Sequence, residues 1–267
     1  MAKIVETGHA KNVANFYHLV LICSALGTKF NPVSPKLSLA AMNQLHQDAN
    51  SVIKALDTSR GNYVQVIKQR KTLFDGLSSL STRIIRSLRP LGLNAGVIEN
   101  LKGISRKIQG KGKAKSSESN TITTTTNTAN TTTNTTTTTT NTANSTAIDT
   151  EANKISVSQM SFDSRLANFQ KMIEVLKADP NYKPNEVELN VLSLEAYLAQ
   201  LQSGNMAAAM AGNEYIRGRQ NRNQVLYLQD GNLYDTAMSL KDYLLSVLGS
   251  TSVEYKQARK IKFTNKN

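Results

Sequence analysis

The apolar spacing that follows "VANF", Val13–Phe16, returns 153 residues later with "LANF", Leu166–Phe169. The first set is Val13, Phe16, Val20 and Cys23. The second is Leu166, Phe169, Ile173 and Leu176, and both step by 3, 4 and 3. Such steps put side chains on one face of a helix. The same face occurring twice at a constant offset predicts an internal duplication. A repeat of this kind constrains the fold strongly, because whatever one copy forms the other is expected to form too.

The match extends along both copies. Phe30-Asn31-Pro32 answers Tyr182-Lys183-Pro184, a turn ahead of a second helix. Leu37 and Leu39 answer Leu189 and Val191, Gly61-Asn62 answers Gly212-Asn213, and Tyr63 answers Tyr215. Asp75-Gly76 answers Asp230-Gly231, and Arg106-Lys107-Ile108 answers Arg259-Lys260-Ile261. Leu91-Gly92 answers Leu248-Gly249 as a helix stop. Offsets drift from 151 to 157, which short insertions explain.

Each copy reads as helical. Val187, Val191, Leu194, Leu198 and Leu201 step by 4, 3, 4 and 3, and Leu39, Met42, Leu45, Ala49, Ile53 and Leu56 hold the equivalent face. A third helix is expected after each Gly-Asn pair, a fourth up to each Leu-Gly, and a short last one from Val97 and Val253. No sustained period-two run points to a sheet. The expected fold is all-α, with two tandem homologous bundles of four to five helices each. Their expected bounds are 1–112 and 156–267, separated by a linker at 113–155.

That linker contains "NTITTTTNTANTTTNTTTTTTNTANS", Asn120–Ser145. No charge lies between Glu118 and Asp149. Threonine in bulk disfavours helix, and without an apolar stripe the segment cannot bury enough surface to order itself. A disordered tether is expected, spanning roughly 30 Å on average for a flexible coil. The sequons at Asn130, Asn134 and Asn144 follow from composition.

Few residues point to chemistry. The single cysteine, Cys23, aligns with Leu176 and reads as a small core residue. With one cysteine no internal disulfide forms, which fits a reducing compartment. His9, His18 and His46 lack partners at ligand spacing, so neither metal nor cofactor is expected. No phosphate loop, nucleophile elbow or HExxH occurs, so no catalytic residue is assigned and the chain reads as non-enzymatic. "LVLICSALG", Leu19–Gly27, is too short to span a membrane, which needs about 20 apolar residues. Lys3 and Lys11 precede it as they would in a signal peptide, but the repeat explains it better as a core helix. A cytoplasmic protein without a transmembrane segment is expected. "MAAAMAG", Met206–Gly212, reads as close helix packing.

Charge divides the copies. Residues 1–118 carry 18 basic and 6 acidic side chains, a net of +12, whereas residues 146–267 carry 14 and 13, a net of +1. Arg83, Arg86 and Arg89 step by three, and Lys102, Arg106, Lys107, Lys111, Lys113 and Lys115 follow. This run could hold a polyanion through phosphates, or be a solvated face that aids solubility. No aromatic residue lies between Arg83 and Lys115, against a stacking platform for single strands. Arg70 and Arg222 match between the copies, each on an otherwise apolar stripe. A buried arginine needs a partner, and the matched acids Glu99 and Glu254 are the candidates. A structural role is expected for both arginines, with ligand binding as the sharper alternative.

"SVSQMSFDSRLANFQ", Ser156–Gln170, and "LYLQDGNLYDTAMSLKDYLLSVLGSTSVEYKQ", Leu226–Gln257, resemble an uncharacterised family of two-repeat all-helical proteins from Bacteroidetes-type bacteria. The resemblance is clearest from Ser156 to Phe263 and weaker in the first copy. It implies a bacterial setting and no activity. The functional expectation is a structural or protein-interaction protein that engages a protein partner or self-assembles. The alternative is sequence-independent nucleic-acid binding through the basic first copy. A pore-forming helical toxin is disfavoured by the lack of a long apolar hairpin.

Overall fold

A computed structural model describes residues 7–111 and 160–265. The expected linker at 113–155, with Lys113 and Lys115, lies outside them. Among the described residues the chain is all-helical, with no strand. The helices are α1 (Thr7–Ala25), α2 (Leu39–Asp75), α3 (Leu77–Ser87), α4 (Ala95–Gln109), α5 (Phe162–Ala178), α6 (Val191–Asn223), α7 (Leu233–Leu248) and α8 (Val253–Lys260). A one-turn 3₁₀ helix precedes each long helix, at Pro35–Leu37 and Val187–Leu189. The α-helices follow the same order in each half, one helix, a long helix and two further helices, while the first half has an added 3₁₀ turn at Gly27–Lys29 and the second a π-helical turn at Gln224–Leu228.

Ends are set by local chemistry. Asn94, Ser161, Asn232 and Ser252 cap α4, α5, α7 and α8 through side-chain oxygens that accept backbone N–H groups. Gly249, at φ 74°, closes α7 in a backbone region that favours glycine.

A break at each Gly-Asn pair does not occur. Both α2 and α6 run straight through it, so the expected second and third helices are one. Gly212 instead admits a close neighbour, since a Cβ there would lie 3.3 Å from the Tyr63 ring. The glycine serves helix packing, and the cost of glycine within a helix, about 1 kcal/mol, is offset by that approach.

The chain clusters into two compact units, but these are not the halves of the sequence expected at 1–112 and 156–267. Unit one takes residues up to Leu73 and from Gln202 onward; unit two is Phe74–Leu201. An apolar stripe specifies that a helix face is covered, not by which segment, and here the covering segment comes from the other half.

In unit one, α1 lies against α7 and α8. Val13, Phe16, Leu19, Val20 and Cys23 join Met42 and Ala49 of α2, Leu233, Ala237, Leu240 and Leu244 of α7 and Ala258 of α8 in one buried core. "LVLICSALG" is accordingly core-forming helix. In this unit α2 runs antiparallel to α6: Leu56 meets Gly218, Tyr63 meets Gly212 and Leu73 meets Gly204. In unit two, α4 packs on both α3 and α5. Its buried residues include Phe74, Leu77, Ile84, Leu101, Ile108, Phe169, Met172 and Leu194.

Candidate functional site

The strongest site candidate is a surface on unit one. Between Ser59 and Phe74, α2 has no buried residue; Tyr63, Val66, Ile67, Arg70 and Leu73 form a half-buried stripe. Opposite them α6 offers small side chains, with Ala208 and Ala211 buried and Tyr215 stacked on Tyr63 at 5.9 Å between ring centroids. Each helix is covered along this stretch chiefly where it meets the other. Met206 and Met210 are each 66% exposed and Ile216 is 52% exposed. A groove of about 600 Å³ runs beside them, lined by Asn62, Val66, Ala207, Met210, Ala211 and Glu214 among others. "MAAAMAG" thus has two sides, one serving close packing and the other exposed. Sequence reading saw the first side only; two methionines four apart were the signal for the second.

Charge along this stretch is mainly positive. From Arg60 to Leu73 and from Gln202 to Asn221 there are six basic residues, Arg60, Lys68, Arg70, Lys71, Arg217 and Arg219, and one acid, Glu214. Flexible thioether side chains with a basic surround suit an apolar helix face bearing acids.

The basic residues of α3 and α4 are partly neutralised. Arg83 bonds Glu188 at 2.6 Å. Glu99 accepts from Lys102 at 3.1 Å and Arg106 at 3.0 Å, and these two cations hold its carboxyl below the usual range. Arg86, Arg89, Lys107 and Lys111 are exposed and make no ion pair among the described residues. They do not share one face. At roughly 100° per residue, Arg83 and Arg86 lie about 60° apart on α3, whereas Arg89 falls in the turn beyond it, and Lys107 lies about 100° from Arg106 on α4.

Of the matched arginines, Arg222 is 7% exposed and Arg70 half-buried. The expected acids do not bond them: Glu99 serves Lys102 and Arg106, and Glu254 is exposed at the start of α8. Arg222 donates through Nε and Nη2 to Asn223 Oδ1, at 3.2 and 2.9 Å, and Arg70 donates to Asn205 Oδ1 at 3.2 Å. Side-chain amides are neutral acceptors and carry no acidic signature in the sequence.

Two polar ties escaped sequence reading. After α6, a π-helical turn at Gln224–Leu228 buries Val225, Leu226 and Tyr227 in succession, which a regular helix face does not do. Tyr227 Oη accepts from Asn12 Nδ2 at 3.2 Å and lies 2.8 Å from His9 Nδ1. Asn12 also donates to Thr264 O and accepts from its N–H. In unit two, Arg165 donates to Phe74 O at 2.9 Å, its guanidinium 5.5 Å from the Phe74 ring centroid. Asn12 and Arg165 stand 153 residues apart, the offset of "VANF" and "LANF".

Cys23 is fully buried, and burial pushes its thiol up to about 12, so it is protonated at neutral pH. Among the described residues no group of three or more His, Cys, Asp or Glu is placed to hold a metal. None of the described helices is long and apolar enough to cross a membrane. Comparison with protein-family models, curated proteins and solved structures gives no match.

Proposed function

We propose that this is a non-enzymatic interaction protein that docks an acidic, amphipathic helix of a protein partner along the exposed stretch of α2 and α6. The observation that carries the reading is the exposure of Met206 and Met210 beside a groove in a basic surround. Like charge opposes self-association through this face, and the exposed methionines repack readily around a partner helix. The scaffold is read as an internal duplication of a bacterial family, supported by the equal order of α-helices in the two halves.

The test is a photoreactive amino acid at Met210, irradiated in a bacterial host. The expected product is a covalent adduct that resists nuclease and is lost when Met206→Glu is added. A nuclease-sensitive adduct, or none, overturns the reading.

A second reading is sequence-independent polyanion binding through Arg86, Arg89, Lys107 and Lys111. It is supported by the exposure of these four cations without an ion pair among the described residues.

A further inference from the structure

The polar bonds that reach far along the sequence mostly connect residues 7–111 with residues 160–265. In unit one these are Asn12 to Tyr227 and Thr264, Asn15 to Lys262, Asn31 to Tyr243, Lys36 to Asp230 and Arg70 to Asn205. In unit two they are Arg83 to Glu188 and Arg165 to Phe74. Several aromatic contacts also join the halves, Phe30 with Tyr243, Tyr63 with Tyr215, and Phe74 with Phe162, while Tyr17 with His46 and Phe169 with Tyr197 stay within one.

The apolar cores agree. The first helix of the first half, α1, is covered by the last two helices of the second half. The first helix of the second half, α5, is covered by α4, the last helix of the first. The exchange is reciprocal down to single positions. Asn12 and Arg165, 153 residues apart, each bond a residue at the end of the other half's long-helix segment: Tyr227 in the turn after α6, and Phe74 near the end of α2.

A half by itself therefore exposes what its complement covers. Without the second half, Phe16, Leu19, Val20 and Cys23 of α1 lose α7 and α8. Without the first half, Phe169, Met172, Ile173 and Leu176 of α5 lose α4. Contiguous apolar faces of that size are interaction surfaces, and here each face already has a fitted occupant.

We infer that the two halves are complementary subunits fused in one chain, and that the partner each fits is the opposite half, supplied equally by its own chain or by a second copy. The contacts described in both units are largely between halves, and the peptide connection through residues 113–155 raises the local concentration of one half around the other. A second copy whose halves have come apart completes the same units, as in domain swapping.

The test uses the full chain with a site-specific protease sequence inserted between Thr132 and Thr133. After cleavage the two fragments should elute together at the mass of the uncut chain, with unchanged helix content. An N-terminally tagged cut sample is then mixed with an untagged, isotopically heavy one, and the mixture is unfolded in urea and refolded. Capture on the tag should return light and heavy second halves in proportion to their amounts. Cut protein carrying both Phe16→Asp and Phe169→Asp, altered in the α1 and α5 faces so that both units are opened, should lose co-elution. Separation of the wild-type fragments after cleavage, with or without loss of helix, overturns the inference. So does capture of light second half alone after refolding, or co-elution that survives the combined Phe16→Asp and Phe169→Asp change. A missing Met210 adduct bears only on the docking surface and leaves this result untouched.

Discussion

The Tyr182 hydroxyl is buried and donates to Leu189 O at 2.6 Å, tying the turn after α5 to the 3₁₀ turn that starts α6. Removing the donor in Tyr182→Phe leaves a buried carbonyl unpaired, a loss of about 1–3 kcal/mol, read by urea denaturation near neutral pH. Burial raises the phenol from its ordinary 10.0 to about 12, with Glu186 adding to the shift. The folded-state value lies above the unfolded one. The stabilisation from this group is therefore whole below about 10 and is lost as pH rises toward about 12. Wild type should lose stability across that window more steeply than Tyr182→Phe. Equal slopes would show that the phenol ionises freely in the folded state. Cys23 offers a second residue-scale expectation. A buried, protonated thiol should react with an aromatic disulfide reagent only as the protein unfolds, and quickly in denaturant. Fast labelling of native protein would place Cys23 outside the core of unit one.

At the scale of the element, the glycines of the long helices separate two roles that look alike in sequence. A Cβ at Gly61 meets nothing within 4 Å, whereas at Gly218 it would stand 3.2 Å from both Leu56 Cδ1 and Ser59 Oγ. Gly61→Ala should therefore gain most of the helix-propensity difference, up to about 1 kcal/mol. Gly218→Ala should gain less or lose stability, because α6 must move from α2. Thermal denaturation of the two variants decides it, and a larger gain for Gly218→Ala would contradict the close approach. The same helices show what was legible. The stripes Leu39–Leu56 and Val187–Leu201 located the start of each long helix, since a buried face needs apolar residues at three and four. Gly61-Asn62 misled because glycine breaks helices in isolation but also permits contact, and periodicity cannot tell the two apart. Cys23 was legible as core because its matched residue is Leu176. The amide partners of Arg70 and Arg222 were not, since Asn205 and Asn223 are ordinary exposed-type residues until a neighbour aims at them. Met206 and Met210 were legible as exposed only through their spacing of four, because either one alone reads as part of the packing stripe beside it.

For the whole molecule, each compact unit draws on both halves, and this changes how the net charge of +12 in residues 1–118 can be tested. Binding by isolated halves would compare chains stripped of their cores, whose exposed apolar faces associate with many things. The informative comparison keeps the full chain and removes charge where it is exposed. Arg86, Arg89, Lys107 and Lys111 project from unit two, whereas Arg83, Lys102 and Arg106 are engaged by Glu188 and Glu99. Changing the first four to Gln should leave the fold intact, since exposed side chains contribute little to packing. If the four reach duplex DNA phosphates, the log–log salt slope of binding should flatten by up to ~3.6 units, at about 0.9 per contact. Breaking Arg83–Glu188 with Glu188→Gln should instead free a cation and steepen the slope by up to ~0.9. Titrations of the three proteins at several salt concentrations give both numbers. Slopes that do not change in either variant would mean that these cations solvate the surface and leave recognition to the α2 and α6 groove of unit one.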